Sequence, residues 1–356
     1  MDLENNPHLK DRPPAGKKRP GASAATDTPG NGNVVRVYQV HTYRTTVPPL
    51  LQARIKGGIS IKIIFFSSKT YPEPDAHDYG DCILVDQGAE LLIYDCGSEE
   101  HAKRVEAYMH RRGFRQAVMV LSHNDKDHYA GIPYLADRGL LSKVCTPLFL
   151  KHLDDLLDRI GDKRYKREPL KEKLLEIFSN VTAFAEEYPG LLVDALEQPT
   201  LISGAEIVGP ALDYALDAVA DRVNSCKSNM IDAETVTNAV SVHVSCISNG
   251  RHVLLCGDST FEAIEDLLPS HTVIQLPHHG KPETAEKIFN AKFQRNDTVY
   301  LVSDNKGSSF NGGSKDLDTT GHHVLNTQQG DVSYPLPVKY TSGGYTGRTL
   351  GLPGWR

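Results

Sequence analysis

The stretch Leu121-Ser122-His123-Asn124-Asp125-Lys126-Asp127-His128 decides how this chain is read. It directly follows the apolar run Ala117-Val118-Met119-Val120. Two histidines and two carboxylates fall within six residues. A strand that ends in such a cluster aims several coordinating groups at one point. Imidazole nitrogen and carboxylate oxygen are the protein ligands suited to Zn²⁺ or Mn²⁺ at neutral pH. Taken alone, the same stretch also reads as a polar surface loop rich in His and Asp.

Working outward, other strand ends carry the same kind of side chain. Asp95 follows Leu91-Leu92-Ile93-Tyr94, Asp258 follows Leu254-Leu255-Cys256-Gly257, and His278-His279-Gly280 follows Thr272–Leu276. Each opens a loop after an apolar strand, which is how a sheet scaffold gathers ligands along one edge. Ser98 is placed to cap a helix carrying Ala102, Val105, Tyr108 and Met109 at helical spacing, and Gly113 to stop it. Asp86-Gln87-Gly88-Ala89 reads as a hairpin, as does Asn249-Gly250 between Ala239–Ile247 and His252–Cys256. Leu153, Leu156, Leu157 and Ile160, then Leu170, Leu174 and Ile177, predict helices. The pattern is two sheets with helices outside them.

The chain has 356 residues and is 39% hydrophobic, enough for a sizeable core. Residues 1–33, rich in Pro, Gly, Lys and Asn, read as a disordered tail; 34–356 reads as one domain with a helical insertion over 148–200. No apolar run approaches a membrane span, and no secretory h-region opens the sequence, so no membrane association and a cytoplasmic location are expected. Six scattered cysteines without a CxxC pair read as reduced thiols. A net charge of −6 gives no bulk attraction to nucleic acid, so any such contact must be local or go through metals.

The order of motifs resembles the metallo-β-lactamase superfamily, whose signature of the type H-x-H-x-D-H follows a strand and precedes a later Gly-Asp and a final His. Here it reads His123-x-Asp125-x-Asp127-His128, with Asp125 in place of the second histidine. That variant, with Gly80-Asp81-Cys82-Ile83-Leu84-Val85, Asp95-Cys96-Gly97, Asn238-x-x-Ser241, Gly257-Asp258 and His278-His279-Gly280, looks like the metallo-β-lactamase domain of competence DNA-uptake channel proteins and their soluble relatives. The resemblance implies an α/β fold, a four-layer αββα sandwich. It also implies two divalent metal ions, Zn²⁺ or Mn²⁺. His123 and Asp125 would bind the first; Asp127, His128 and one of His278 and His279 the second; Asp258 would bridge. His278 is the preferred ligand, which leaves His279, with Asp127, as a catalytic candidate. Asp95 and Asn238 are expected to orient ligands, and Lys126, Ser241, Lys281 and Asn305 to contact substrate. The third histidine of the usual first site has no clear match.

What this implies is an enzyme: a hydrolase, most readily a phosphodiesterase or nuclease using a hydroxide activated by two metals. The expected partner is nucleic acid or a small phosphodiester. The alternatives are a hydrolase of a small phosphoester, cyclic nucleotide or lactone, and a non-catalytic metal-binding regulator.

Overall fold

The computed structural model describes residues 61–73, 77–162, 165–224, 230–231, 234–293, 295, 297–304 and 312–336. The tail expected over 1–33, the strand expected from Val34 and the candidate Asn305 lie outside them. The strands run β1 (Lys62–Phe65), β2 (Cys82–Asp86), β3 (Leu91–Cys96), β4 (Ala117–Val120), β5 (Leu141–Thr146), β6 (Leu192–Asp194), β7 (Ala205–Gly209), β8 (Met230–Ile231), β9 (Glu234–Thr235), β10 (His243–Ser248), β11 (Arg251–Leu255), β12 (Val273–Gln275), β13 (Val299–Val302), β14 (His323–Asn326) and β15 (Val332–Tyr334). One sheet has the order β15-β1-β2-β3-β4-β5-β6 and a second the order β14-β13-β12-β11-β10-β7. The β2–β3 and β10–β11 hairpins are antiparallel, and the latter turns at Asn249 and Gly250, both at positive φ. Strands β3 to β6 pair parallel, as do β11 to β14.

Period-two alternation sorts the side chains into layers. Ile63, Phe65, Ile83, Val85, Leu92 and Tyr94 face Val244, Cys246, Val253 and Leu255 of the second sheet. Their neighbours Ile64, Leu84, Leu91 and Ile93 point the other way, onto Ala102, Val105 and Met109 of the helix Glu99–Arg112. Ser98 accepts a hydrogen bond from His101 N at that helix's start, and Gly113 ends it at φ 76°. On the second sheet's outer face, Leu254, Ile274 and Tyr300 pack on Ile264, Ala285 and Ile288. Two sheets face to face with helices outside make an αββα sandwich.

The stretch 148–200 contains the helices Leu153–Ile160, Arg167–Ile177 and Ser179–Glu187, but also β6, which pairs with β5. The first two pack with helix Leu212–Asn224, whereas Val181 and Phe184 of the third lie on the first sheet. The helical layer is therefore assembled from two separated segments. The strand expected from Ala239 begins only at His243, because Thr235 caps a short helix, Val236–Ala239. Cys82, Cys96, Cys145, Cys246 and Cys256 are buried free thiols; Cys226 lies outside the described residues. No helix among the described residues is long and apolar enough to cross a membrane.

At the end of β2 the buried carboxylate of Asp86 accepts from Tyr108 Oη at 2.5 Å, Arg112 Nε at 2.9 Å and Gly88 N at 2.7 Å. Burial opposes its ionisation, but the Tyr108, Arg112 and Gly88 donors outweigh that and hold its pKa below the ordinary value. Its folded pKa is thus below its unfolded one. Its contribution to stability is whole above about pH 4 and is lost as the pH falls through the folded value. Asp86→Asn should cost about 1–3 kcal/mol at pH 7, with the gap narrowing at acidic pH. Urea unfolding of both proteins at pH 7 and pH 3.5 measures this; an equal gap at both values contradicts it.

Candidate metal centre

The site forms where β3, β4, β11 and β12 end, and backbone geometry does much of the aiming. In β3, Asp95 is an extra residue in the ladder, since Ile83 pairs with Tyr94 and Cys82 with Cys96. It sits at φ 58°. This bulge turns its buried carboxylate toward the loop after β4. There Asp95 Oδ1 accepts from Ser122 N and Oδ2 from Ser122 Oγ, each at 2.7 Å, and His128 Nδ1 lies 2.9 Å from Oδ2. After β12, His278 (φ 51°) and His279 (φ 56°) both adopt left-handed backbone. Such residues cost about 1–3 kcal/mol each and persist where the surroundings over-determine them. The surroundings here are close: a Cβ on Gly312 would meet the His278 ring at 2.3 Å, and Gly313 N donates to His278 O at 3.1 Å.

The four imidazoles share one arrangement. Each Nδ1 faces outward to a protein partner. His123 Nδ1 lies 2.9 Å from Ser122 Oγ, His128 Nδ1 2.9 Å from Asp95, His278 Nδ1 2.9 Å from Glu234 Oε2, and His279 Nδ1 3.0 Å from Asp81 Oδ1. Each Nε2 faces inward. From Asp258 Oδ2 the distances are 3.9 Å to His123, 3.4 Å to His128, 3.8 Å to His278 and 3.7 Å to His279. Asp125 Oδ2 lies 3.6 Å from His123 Nε2, and Asp127 Oδ2 lies 3.2 Å from His279 Nε2 and 3.9 Å from His128 Nε2. Atoms of Asp81, His128, Asp258 and His279 all fall within 4.8 Å of one another. Asp81 also accepts from Gln275 Nε2, so its place is behind His279.

Residues of this kind fit divalent cations. His123 Nε2, His128 Nε2 and Asp258 Oδ1 are buried without a hydrogen-bond partner, an arrangement costly for polar groups unless something else binds them. Two ligands of one tetrahedral Zn²⁺ stand about 3.3 Å apart, given bonds of about 2.0–2.1 Å. The inward distances are of that order, mostly too long for hydrogen bonds. Burial opposes ionisation of Asp127 and Asp258, yet the facing imidazoles hold both carboxyls low. Burial likewise opposes charging of His128, His278 and His279, and Asp258 leads the carboxylates that push all three up.

The sequence candidates fall into three groups. His123, Asp125, Asp127, His128, Asp258, His278 and His279 converge, with both histidines of the pair facing Asp258 rather than one. Asp95 touches His128 directly, but Asn238 contacts Glu234 (3.3 Å) and reaches His278 only through it. The three described substrate candidates differ in setting. Ser241 is fully buried, 3.3 Å from His123 Nδ1, and accepts from Asp258 N, so it braces the site from behind. Lys281 is drawn to Glu234 at 2.6 Å, since that buried carboxylate needs a cation. Lys126 is exposed at the start of the helix Lys126–Tyr129. His243, the first residue of β10, is a core residue: it is buried, its Nε2 lies 2.8 Å from Ser259 Oγ, and burial pulls its pKa down to about 3.

Asp81, Glu234 and Asn124 were missed. A carboxylate placed directly before the apolar run Cys82–Val85 was a usable signal for Asp81. Nothing local marks Glu234. Asn124, between two candidate ligands, donates from Nδ2 to Ile177 O and accepts from Val181 N at Oδ1, both at 3.1 Å, while its carbonyl accepts from Asn180 Nδ2 at 2.7 Å. It ties the ligand loop to the break between two helices. Asn124→Ala leaves two of these backbone groups without partners and should cost about 2 kcal/mol. Unchanged thermal unfolding would refute this.

A sandwich whose facing strand ends gather four histidines around a carboxylate defines the class, a metal-site hydrolase scaffold. The profile of the metallo-beta-lactamase superfamily matches residues 76–303, and the chain belongs to that superfamily. No curated protein matches it. Among solved structures, it is similar to Igni18, a metallo hydrolase from the hyperthermophilic archaeon Ignicoccus hospitalis KIN4/I (14% identity, 78% of this chain and 99% of that one, TM-score 0.40). It is also similar to a diphosphatase from the PhnP family (9%, 77% and 98%, TM-score 0.40). A further similarity is to Zn²⁺-bound PqqB from Methylobacterium extorquens (14%, 72% and 87%, TM-score 0.38).

Proposed function

We propose that this chain is a metal-dependent phosphodiesterase acting on nucleic acid. The observation that carries the reading is the common orientation of the four imidazoles, Nδ1 anchored and Nε2 turned toward Asp258. In this reading His123, Asp125 and His278 would hold one divalent cation, Asp127, His128 and His279 would hold a second, and Asp258 would contribute to both. His278 supplies the place for which the sequence offers no third histidine. When bound, such a pair supplies Lewis acidity and a charge clamp for both oxygens of an in-line displacement at phosphorus. Asp125, a hard anionic donor in place of imidazole, favours Mn²⁺ over softer ions.

The protein's own groups set up that centre. Asp95, Asp81 and Ser122 hold three of the rings by Nδ1, which fixes the tautomer that presents a lone pair at Nε2, and the Glu234 carboxylate stands 2.9 Å from Nδ1 of the fourth, His278. Lys126, exposed beside the ligand loop, would meet a phosphate oxygen in this reading.

Elemental analysis of gently purified protein, followed by assays on single-stranded DNA, plasmid DNA and bis-p-nitrophenyl phosphate, tests this. The expected result is bound divalent metal and polymer cleavage that EDTA stops and Mn²⁺ restores. Turnover of bis-p-nitrophenyl phosphate alone would reassign the site to a small phosphodiester. Absence of both metal and turnover would leave a non-catalytic protein.

A further inference from the structure

Outside the metal centre, the face of helix Glu99–Arg112 that meets the sheet edge carries Arg104, Ala107, Tyr108 and Arg111. Their spacing of i, i+3, i+4 and i+7 is one helical stripe. Opposite it, Lys62 and Ile64 of β1 and Phe66 just after it, alternate residues along the chain, form the other wall. Between the two run adjoining cavities of about 300 and 270 Å³ that share Lys62, Tyr108 and Arg111. The groove extends roughly 10 Å along the helix, at about 1.5 Å per residue from Arg104 to Arg111.

Its charge is opposite to that of the chain. Lys62, Arg104, Arg111 and Arg112 line it against only Asp86 and Asp331, within a protein of net charge −6. Arg104 pairs with Asp331 at 2.6 Å and Arg112 with Asp86 at 2.9 Å. Lys62 and Arg111 are exposed, and neither has a carboxylate within 4.0 Å among the described residues. The floor is apolar: Ile64 and Phe66 are buried, and the Arg104 guanidinium stands 4.2 Å over the Phe66 ring. Two cations without a carboxylate partner, Arg111 standing 5.3 Å over the Tyr108 ring, lie above an apolar floor and are flanked by two held arginines, which makes an anion-accepting channel.

We propose that this groove binds the phosphate backbone of a single-stranded nucleic acid as an exosite outside the metal centre. Successive phosphates of one strand match a row of cations of this length, and a flexible strand follows a narrow concave channel. A duplex keeps its phosphate rows on the outside of a stiff rod and cannot wind one of them along the channel wall as a flexible single strand can. The proposal rests on the nucleic-acid reading of the metal centre, and the experiment keeps the two apart.

Fluorescence anisotropy of a labelled twelve-nucleotide oligodeoxythymidine, with the full chain in EDTA, reads binding without cleavage. Lys62→Glu combined with Arg111→Glu should weaken binding at least tenfold. It should also lower the slope of log K against log salt by roughly 1.4, two contacts at about 0.7 each. Lys171→Glu combined with Arg222→Glu, an equal charge change on the helical layer, should shift binding less than twofold. Hydrolysis of bis-p-nitrophenyl phosphate with Mn²⁺ should be the same in the groove variant and the wild type. The proposal is overturned if the wild type does not bind, if the groove variant binds as tightly, if both variants weaken equally, or if duplex DNA binds as well. Should no protein hydrolyse any phosphodiester while the groove variant still loses binding, the nuclease reading fails and the groove assignment stands.

Discussion

Asp258→Asn is expected to lower kcat/KM at least about a thousandfold, roughly 4 kcal/mol in the transition state, and to leave less than one equivalent of bound metal. The reason is its position. One oxygen of this buried carboxylate lies within 3.4–3.9 Å of four imidazole Nε2 atoms. Other groups of the cluster serve one half of it; His123 is near Asp125, and His279 near Asp127. The amide keeps the size but removes the negative charge that the two proposed cation positions would share. Asp95→Asn provides the comparison, because Asp95 reaches the centre only through His128 Nδ1 and Ser122. It should reduce affinity for metal about 10–100-fold without halving the stoichiometry at saturation. Elemental analysis and calorimetric titration distinguish the two. Two full equivalents of metal in Asp258→Asn would rule out its shared role.

Gly97→Ala should be among the most damaging single methyl additions at the described glycines. A Cβ at this position would stand 1.9 Å from Asp127 O and 2.8 Å from Tyr79 O. The Asp127 carbonyl has nowhere to retreat, since it already accepts from Asp81 N at 2.9 Å, and Gly97 N donates to Asp81 O at 2.8 Å. Moving it displaces Asp127, and with Asp81 the support of His279. A loss above about 4 kcal/mol is expected, which lowers Tm by at least about 8 °C and removes metal binding. Gly139→Ala is the control. Gly139 has a positive φ of 64° but nothing within 4 Å of the added carbon, so only backbone strain of about 1 kcal/mol applies. Differential scanning calorimetry that places the two variants together would show that the close approach at Gly97 is not tight.

How much of this was legible depends on the range of the interaction. The alternation Ile63-Ile64-Phe65-Phe66 places neighbouring residues in opposite cores, and it is visible in the letters because a strand's period is two. Ser98 and Gly113 mark the ends of one helix for equally local reasons, a side-chain cap and a left-handed stop. The four clusters at strand ends were legible too. The roles inside the site were less so. Ser241 reads as a substrate contact, yet it is sealed behind His123, because the loop before β10 is pressed under the ligand loop; Val242 N donates to Ser122 O at 2.9 Å. Lys281 reads as a phosphate contact until Glu234, 47 positions away in sequence, takes its ammonium group. The same Glu234 faces His278, which makes both histidines of the pair comparable where the sequence suggested a choice between them.

The order and type of the elements, and the chemical kind of the residues at their ends, were set by the sequence itself, since periodicity, caps and turns act over a few residues. Which nitrogen of each histidine turns inward, and which carboxylates stand behind it, was decided only by the tertiary structure. Those choices follow from left-handed backbone at Asp95, His278 and His279 and from the stacking of two sheets. Both join residues up to 198 positions apart, as with Asp81 and His279, and no local pattern encodes such a meeting.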